Sequence, residues 1–250
     1  MTRMDQILLN NPRYEHTHPS IKTGFASIDS RTAFLRKGTL SLLGARPGMG
    51  KTTVALQIAA NVTSNGGTVL FFSQRNSALQ IADRANELKK DLVTCERLFI
   101  EDRVGSVDEM HLAIQDVRIP IDLVIVDDLQ DVYCTTKKRK HLCDPSRVCG
   151  TLKSIATHFK TSVLVISQVS REVENRIYHV PNPYDIKGWD QIKPFVDSCC
   201  LLKRDGYYEP EDEYANLSAT LDFRPSTNNC CTVLMGWDHH NNCLREYALA

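Results

Sequence analysis

Gly44-Ala45-Arg46-Pro47-Gly48-Met49-Gly50-Lys51-Thr52-Thr53 sets a glycine-rich turn between an apolar run at 39–43 and a segment with helical spacing at 52–62. A strand feeding such a turn and then a helix makes an anion cradle. The glycines let backbone N–H groups come close to a phosphate, and the helix start adds partial positive charge. In a phosphate-binding loop the lysine reaches the β- and γ-phosphates and the hydroxyl residue after it ligates magnesium. Ala45, Arg46, Pro47, Gly48, Met49, Gly50, Lys51, Thr52 and Thr53 are therefore the expected cofactor-binding residues, with ATP and Mg2+ as cofactors. Ala45 stands at the first motif position, where glycine is usual, and is small enough to serve.

Outward from this loop, apolar runs bounded by turn residues recur at 39–43, 68–73, 98–100, 123–126 and 162–166. Segments with helical spacing lie between them at 52–62, 77–90, 107–117 and 147–159. That alternation predicts an α/β fold with a mostly parallel central sheet flanked by crossover helices. Beyond about residue 208 the runs 216–223, 231–235 and 243–247 read as antiparallel strands added at one edge. Residues 1–20 read as an arm or linker and 21–250 as one domain. At the end of the 123–126 run stands Asp127-Asp128, which supplies the carboxylate that the other half of such a site requires. Asp127 is expected to share the metal with Thr52.

Composition narrows the class. The 250 residues are 42% hydrophobic, enough for one sizeable core. Thirty basic residues balance thirty acidic ones, so contact with nucleic acid has to come from local patches. Nine cysteines, an odd number, form no disulfide framework, which points to a reducing cytoplasmic setting. No run reaches the roughly 18 apolar residues of a membrane span, so no membrane partner is expected.

Four strings together resemble the RecA-like P-loop NTPase motor domain of DnaB-type replicative helicases. They are the loop at 44–52, Thr23-Gly24-Phe25-Ala26-Ser27-Ile28-Asp29, Val126-Asp127-Asp128-Leu129-Gln130 and Ile166-Ser167-Gln168-Val169-Ser170-Arg171, with Arg204-Asp205-Gly206-Tyr207-Tyr208 further on. The likeness runs from about residue 21 to the end, and on this reading the family's separate N-terminal domain is not expected within these residues. The resemblance implies a hexamer-like ring on single-stranded DNA, with ATP held between subunits. It also implies that Gln168 senses the γ-phosphate and that Arg224 reaches a neighbour's nucleotide as an arginine finger.

Three departures stand out. The family's catalytic glutamate follows the second strand in a Ser-Leu-Glu-Met-Ser segment; this chain has Ser73-Gln74-Arg75-Asn76-Ser77, with Arg75 in the glutamate's place. A guanidinium cannot accept a proton at ordinary pH. Gln74 could orient a water instead, and Asp128 could act as base, so both join Gln168 and Arg224 as catalytic candidates. The family's Lys-x-Arg hairpin reads Asp222-Phe223-Arg224, and its Ser-Gly-x-Ile-Glu-Gln loop reads Trp189-Asp190-Gln191-Ile192-Lys193-Pro194. An intact cradle beside these changes predicts retained nucleotide binding, slow hydrolysis and a gain of turnover in Arg75→Glu.

The run Lys137-Lys138-Arg139-Lys140, with Arg171, Arg176 and Lys187, is the expected nucleic-acid contact. Cys134, His141, Cys143 and Cys149 could in principle bind zinc, but they lack the paired spacing of structural sites and read as free thiols. Met4, Ile7 and Leu8 read as core or an intersubunit contact. The leading expectation is a DnaB-like ATP-binding protein of DNA replication, a helicase or helicase-like ring. Its rival is a catalytically impaired module that partners, loads or restrains a true helicase, in the company of replisome proteins. A RecA- or RadA-like recombination ATPase is disfavoured by the wording of the loop at 46–49.

Overall fold

The computed structural model describes residues 19–88, 95–136, 139–142, 144–225 and 230–247, with the backbone alone described at 134–136, 139–142, 215 and 216. Strands are numbered along the chain: β1 (Ser20–Ile21), β2 (Leu35–Arg36), β3 (Leu40–Ala45), β4 (Val69–Ser73), β5 (Leu98–Glu101), β6 (Leu123–Asp127), β7 (Tyr133–Thr136), β8 (Arg139–Leu142), β9 (Ser162–Gln168), β10 (Ser198–Lys203), β11 (Ser218–Pro225), β12 (Cys231–Asp238) and β13 (Cys243–Arg245). The long helices are α1 (Lys51–Ser64), α2 (Ala78–Leu88), α3 (Val107–Asp116) and α4 (Pro145–Phe159).

Nine strands form one sheet in the order β13-β12-β11-β10-β3-β9-β6-β4-β5. From β10 to β5 every pairing is parallel, and β11, β12 and β13 continue antiparallel beyond β10, as expected. Parallel strands are covered on both faces and so read as unbroken apolar runs. Every residue of β3, β4 and β6 is buried.

Each face has its own core. On one, Val54, Leu56 and Ile58 of α1 and Ile81 of α2 meet Leu43, Phe71, Ile125 and Leu164. On the other, Met110 and Ile114 of α3 and Leu152 and Ile155 of α4 meet Leu42, Phe72, Val124 and Val165. Helix starts follow local chemistry. Ser106 and Glu109 close a capping box on α3, and Asp144 caps α4 with Pro145 in its first turn.

The expected strands and helices are present with small shifts of boundary, and residues 89 and 90 of the expected second helix lie outside the described ones. Strand β10 is an addition. It lies parallel beside β3 and joins the cradle strand to the antiparallel edge. Its core, Cys199-Cys200-Leu201-Leu202, is too short and too uniformly apolar for periodicity to identify. Residues 1–18, including Met4, Ile7 and Leu8, lie outside the described residues. Among the described residues no helix is long and apolar enough to cross a membrane.

The register lines up the site. Ala45 of β3 lies beside Gln168 of β9, and Ser73 of β4 lies beside Asp127 of β6. The carboxyl ends of four neighbouring parallel strands therefore meet at one edge, the usual place for ligands of open α/β sheets.

Candidate active site

Gly50 caps α1 in the left-handed conformation at φ 93°, and no side chain caps the helix start. The first-turn N–H groups, which helix geometry leaves without intrahelical partners, thus remain for an anion. Glycine is needed here twice over, because a Cβ on Gly50 would overlap the ring of Trp237. Trp237, fully buried in β12, carries the Arg204 guanidinium 3.9 Å from its ring centroid, so an aromatic–cation stack supports the loop from behind. The backbone N–H of Arg204 donates to Met49 Sδ at 3.4 Å.

Lys51 Nζ donates to the carbonyls of Ala45 (3.1 Å) and Arg46 (3.0 Å), which curls the lysine over the loop. Burial lowers its pKa to about 8, against the opposing pull of Asp128 and Asp127. Thr52 Oγ1 donates to Asp127 Oδ2 at 2.6 Å, so the two expected metal ligands are already adjacent. Burial raises the Asp127 carboxyl, partly offset by the Thr52 hydrogen bond and the Lys51 charge. A cavity of about 420 Å³ opens over Gly48, Gly50, Lys51, Thr52 and Thr53 and extends to Arg84, Glu87, Asn241 and Asn242. Pro47 is exposed at the tip of the loop. The Arg46 side chain is committed elsewhere: Nε donates to Glu174 Oε1 at 2.8 Å and Nη1 to the Val169 carbonyl at 2.9 Å, tying the loop to the segment after β9.

Asp128, just beyond β6, is the hub of the second half. Gln168 Nε2 donates to its Oδ2 at 2.8 Å, Arg75 Nη2 stands 3.6 Å from the same oxygen, and its Oδ1 accepts from Gln130 N at 3.1 Å. Burial raises its carboxyl first; the Gln168 hydrogen bond and Arg75 lower it, and the Asp131 charge raises it. Arg75 also donates through Nε to Asp131, which raises the guanidinium pKa still further. Gln74 reaches away from this cluster, its Nε2 donating to the Val104 carbonyl at 3.0 Å. Gln130 Nε2 donates to Ser167 Oγ at 2.8 Å and its Oε1 accepts from Gln168 N at 3.1 Å, which fixes the strand end that carries Gln168.

Arg224, exposed on β11, pairs with Asp222 two residues earlier through Nε and Nη2, both 2.7 Å from Oδ2. The carboxylate in the altered hairpin thus engages the expected finger directly. Arg176 is held bidentately by Asp185, at 2.6 Å for each bond, and donates to the Val180 carbonyl at 2.8 Å. Arg171 and Lys187 are exposed, Lys187 on the rim of a second cavity of about 610 Å³ that also includes Gln168 and Gln130. Lys137, Lys138 and Cys143 lie outside the described residues, as do the side chains of Arg139, Lys140, Cys134 and His141. Cys149 faces the core, where burial pushes its thiol up to about 12.

Sequence reasoning missed Asp131, Gln130, Arg84 and the Asn241–Asn242 turn. One signal for Asp131 was available: three acidic residues in Asp127-Asp128-Leu129-Gln130-Asp131 opposite the lone Arg75. Arg84 and the asparagines come from distant segments, and only the folded chain brings them to the loop.

Residues 20–94 and 87–224 match the family described as the DnaB-like helicase C terminal domain. A probable replicative DNA helicase of Trieres chinensis is 32% identical over 243 residues, covering 83% of this chain and 53% of that protein. A solved ATPase domain superposes with a TM-score of 0.82 at 20% identity, covering 99% of this chain and 100% of its own. A DnaB-like replicative helicase, whose structure was described with its interactions with primase, superposes with a TM-score of 0.77 at 20% identity, covering 98% of this chain and 67% of that one. These two likenesses speak to the fold. The chain spans about half the length of the curated relatives it matches.

Proposed function

The chain belongs to the DnaB-like helicase C terminal domain family, and from that membership we propose that it binds ATP with Mg2+ and acts on single-stranded DNA in replication as part of a hexamer-like ring. The observation that carries this reading is the contact between Thr52 and Asp127, 2.6 Å across the ends of α1 and β6, beside the buried Lys51. The uncapped start of α1 and the loop N–H groups suit the phosphates, and Lys51 suits the β- and γ-phosphate oxygens. Thr52 and Asp127 suit Mg2+, which would neutralise charge on the triphosphate. The test is thermal unfolding with Mg2+ and ATP. A ligand bound only by the folded state at a hundredfold excess over Kd adds about 2.7 kcal/mol of stability. Wild type should show that gain and Lys51→Ala should lose it; no gain in wild type at millimolar ATP would overturn the reading.

A second reading, a catalytically impaired ATP-binding module that partners, loads or restrains a true replicative helicase, is favoured by one observation. Two arginines are paired within the chain, Arg75 beside the cradle by Asp131 and Asp128, and Arg224, on β11 away from this chain's own cradle, by Asp222. Asp128 is the acceptor best placed to serve a water, because Gln74 is turned to Val104. Asp128 is held by Gln168 and shadowed by Arg75, so turnover should be slow.

A further inference from the structure

We propose that Asp131 is a positioning residue that competes with the terminal phosphate of a nucleoside triphosphate for Arg75, so that the pair distinguishes triphosphate from diphosphate. The proposal rests on the ATP-binding reading and assigns a regulation to that same site.

The two partners differ in how they are held. Asp131 ends a short 3-10 turn, Leu129–Asp131, whose start is capped by the Asp128 side chain, and its own N–H donates to the Asp128 carbonyl at 3.3 Å. Arg75 stands on the segment after β4 with its side chain 52% exposed, on a longer side chain than that of Asp131, so the guanidinium has room to turn toward a ligand. Ser73, two residues before Arg75, lies beside Asp127 in register, Asp127 contacts Thr52, and Arg75 Nη2 stands 3.6 Å from Asp128 Oδ2, which sets the guanidinium on the side of the cradle where the metal ligands Thr52 and Asp127 lie. Asp131 offers Arg75 one carboxylate charge; a terminal phosphate offers more charge and three acceptor oxygens. A triphosphate should therefore draw Arg75 away from Asp131. A diphosphate, which ends one phosphate short, should leave the pair closed.

Two substitutions should act in opposite directions. Asp131→Asn keeps the shape of the turn and removes the competitor, and Arg75→Gln removes the cation. Affinities of the non-hydrolysable β,γ-imido analogue of ATP and of ADP, each with Mg2+, are measured by calorimetry on wild type, both single variants and the double variant. A half-exposed ion pair sets the scale of the first effect: the preference for triphosphate over diphosphate should rise about threefold in Asp131→Asn. It should fall about tenfold in Arg75→Gln, which loses a charge-assisted bond to phosphate. In the Arg75→Gln background, Asp131→Asn should change nothing, because its effect runs through the arginine. An unmoved preference in Asp131→Asn, or the same change with Gln at 75, would make Asp131 a structural residue only and overturn the proposal. A wild type that binds neither nucleotide would overturn the ATP reading and this proposal together. Normal binding of both with an unmoved preference would overturn this proposal alone.

Discussion

Gln168 and Asp128 are joined across the ends of two neighbouring parallel strands, Nε2 to Oδ2 at 2.8 Å. The γ-phosphate sensor expected on β9 therefore does not stand alone, because its amide orients a nearly buried carboxylate beside the cradle. Burial raises that carboxyl and so makes it a better proton acceptor, while Gln168 keeps it aimed. Asp128→Asn is expected to lower residual ATP turnover by about 10²-fold or more, the scale of a lost general base. Gln74→Ala should cost far less. Steady-state turnover of the two variants at saturating ATP decides between these residues.

Gly50 and Gly66 make a matched pair. Both have φ above 80°, but a Cβ at Gly50 would overlap Trp237, whereas a Cβ at Gly66 meets nothing within 4 Å. Gly66→Ala should lose only the cost of the left-handed backbone, about 1–2 kcal/mol. Gly50→Ala should lose more than that and also nucleotide binding, since the loop must move off Trp237. Urea unfolding with and without Mg2+ and ATP measures both effects.

Arg75→Glu would place a third carboxylate against Asp128 and Asp131, so the gain of turnover anticipated from sequence should be small in the single variant. The double variant Arg75→Glu/Asp131→Asn removes one of those charges and should show the larger gain. Equal turnover in wild type, single and double variants would mean that the acid position after β4 does not limit hydrolysis.

Replacing Lys137, Lys138, Arg139 and Lys140 with alanine should weaken single-stranded DNA binding regardless of sequence. Each phosphate contact on a single strand contributes about −0.7 to the slope of log K against log salt. Losing four would flatten that slope by up to roughly 3. An unchanged slope would return the run to an ordinary solvated surface.

The cradle and the parallel sheet were legible because each rests on local rules: the glycine–lysine–threonine turn, and apolar runs alternating with helical spacing. Gly50 needs both its φ and its close approach to Trp237, 187 positions away, yet only the first can be read locally. The departures at Arg75 and Asp222 were also legible as residues, but the pairing of Arg75 was not. That Asp131 takes up Arg75 depends on which side chains the turn after β6 brings together, whereas Asp222 and Arg224, two apart on one strand, share a face by strand alternation alone. Arg176, offered by the sequence for DNA, is paired with Asp185, and that pairing too was not legible. Ion pairing between segments has no signature in a single chain's periodicity.

In this reading an intact phosphate cradle stands beside an Arg75 whose charge Asp131 and Asp128 take up, and hydrolysis is slow as a result. ATP turnover by the purified protein, with and without single-stranded DNA, tests it most directly. Turnover is expected well below the roughly 10 s⁻¹ of a typical enzyme, with little stimulation by DNA, in a protein that Mg2+ and ATP still stabilise. Fast hydrolysis strongly stimulated by single-stranded DNA would contradict it.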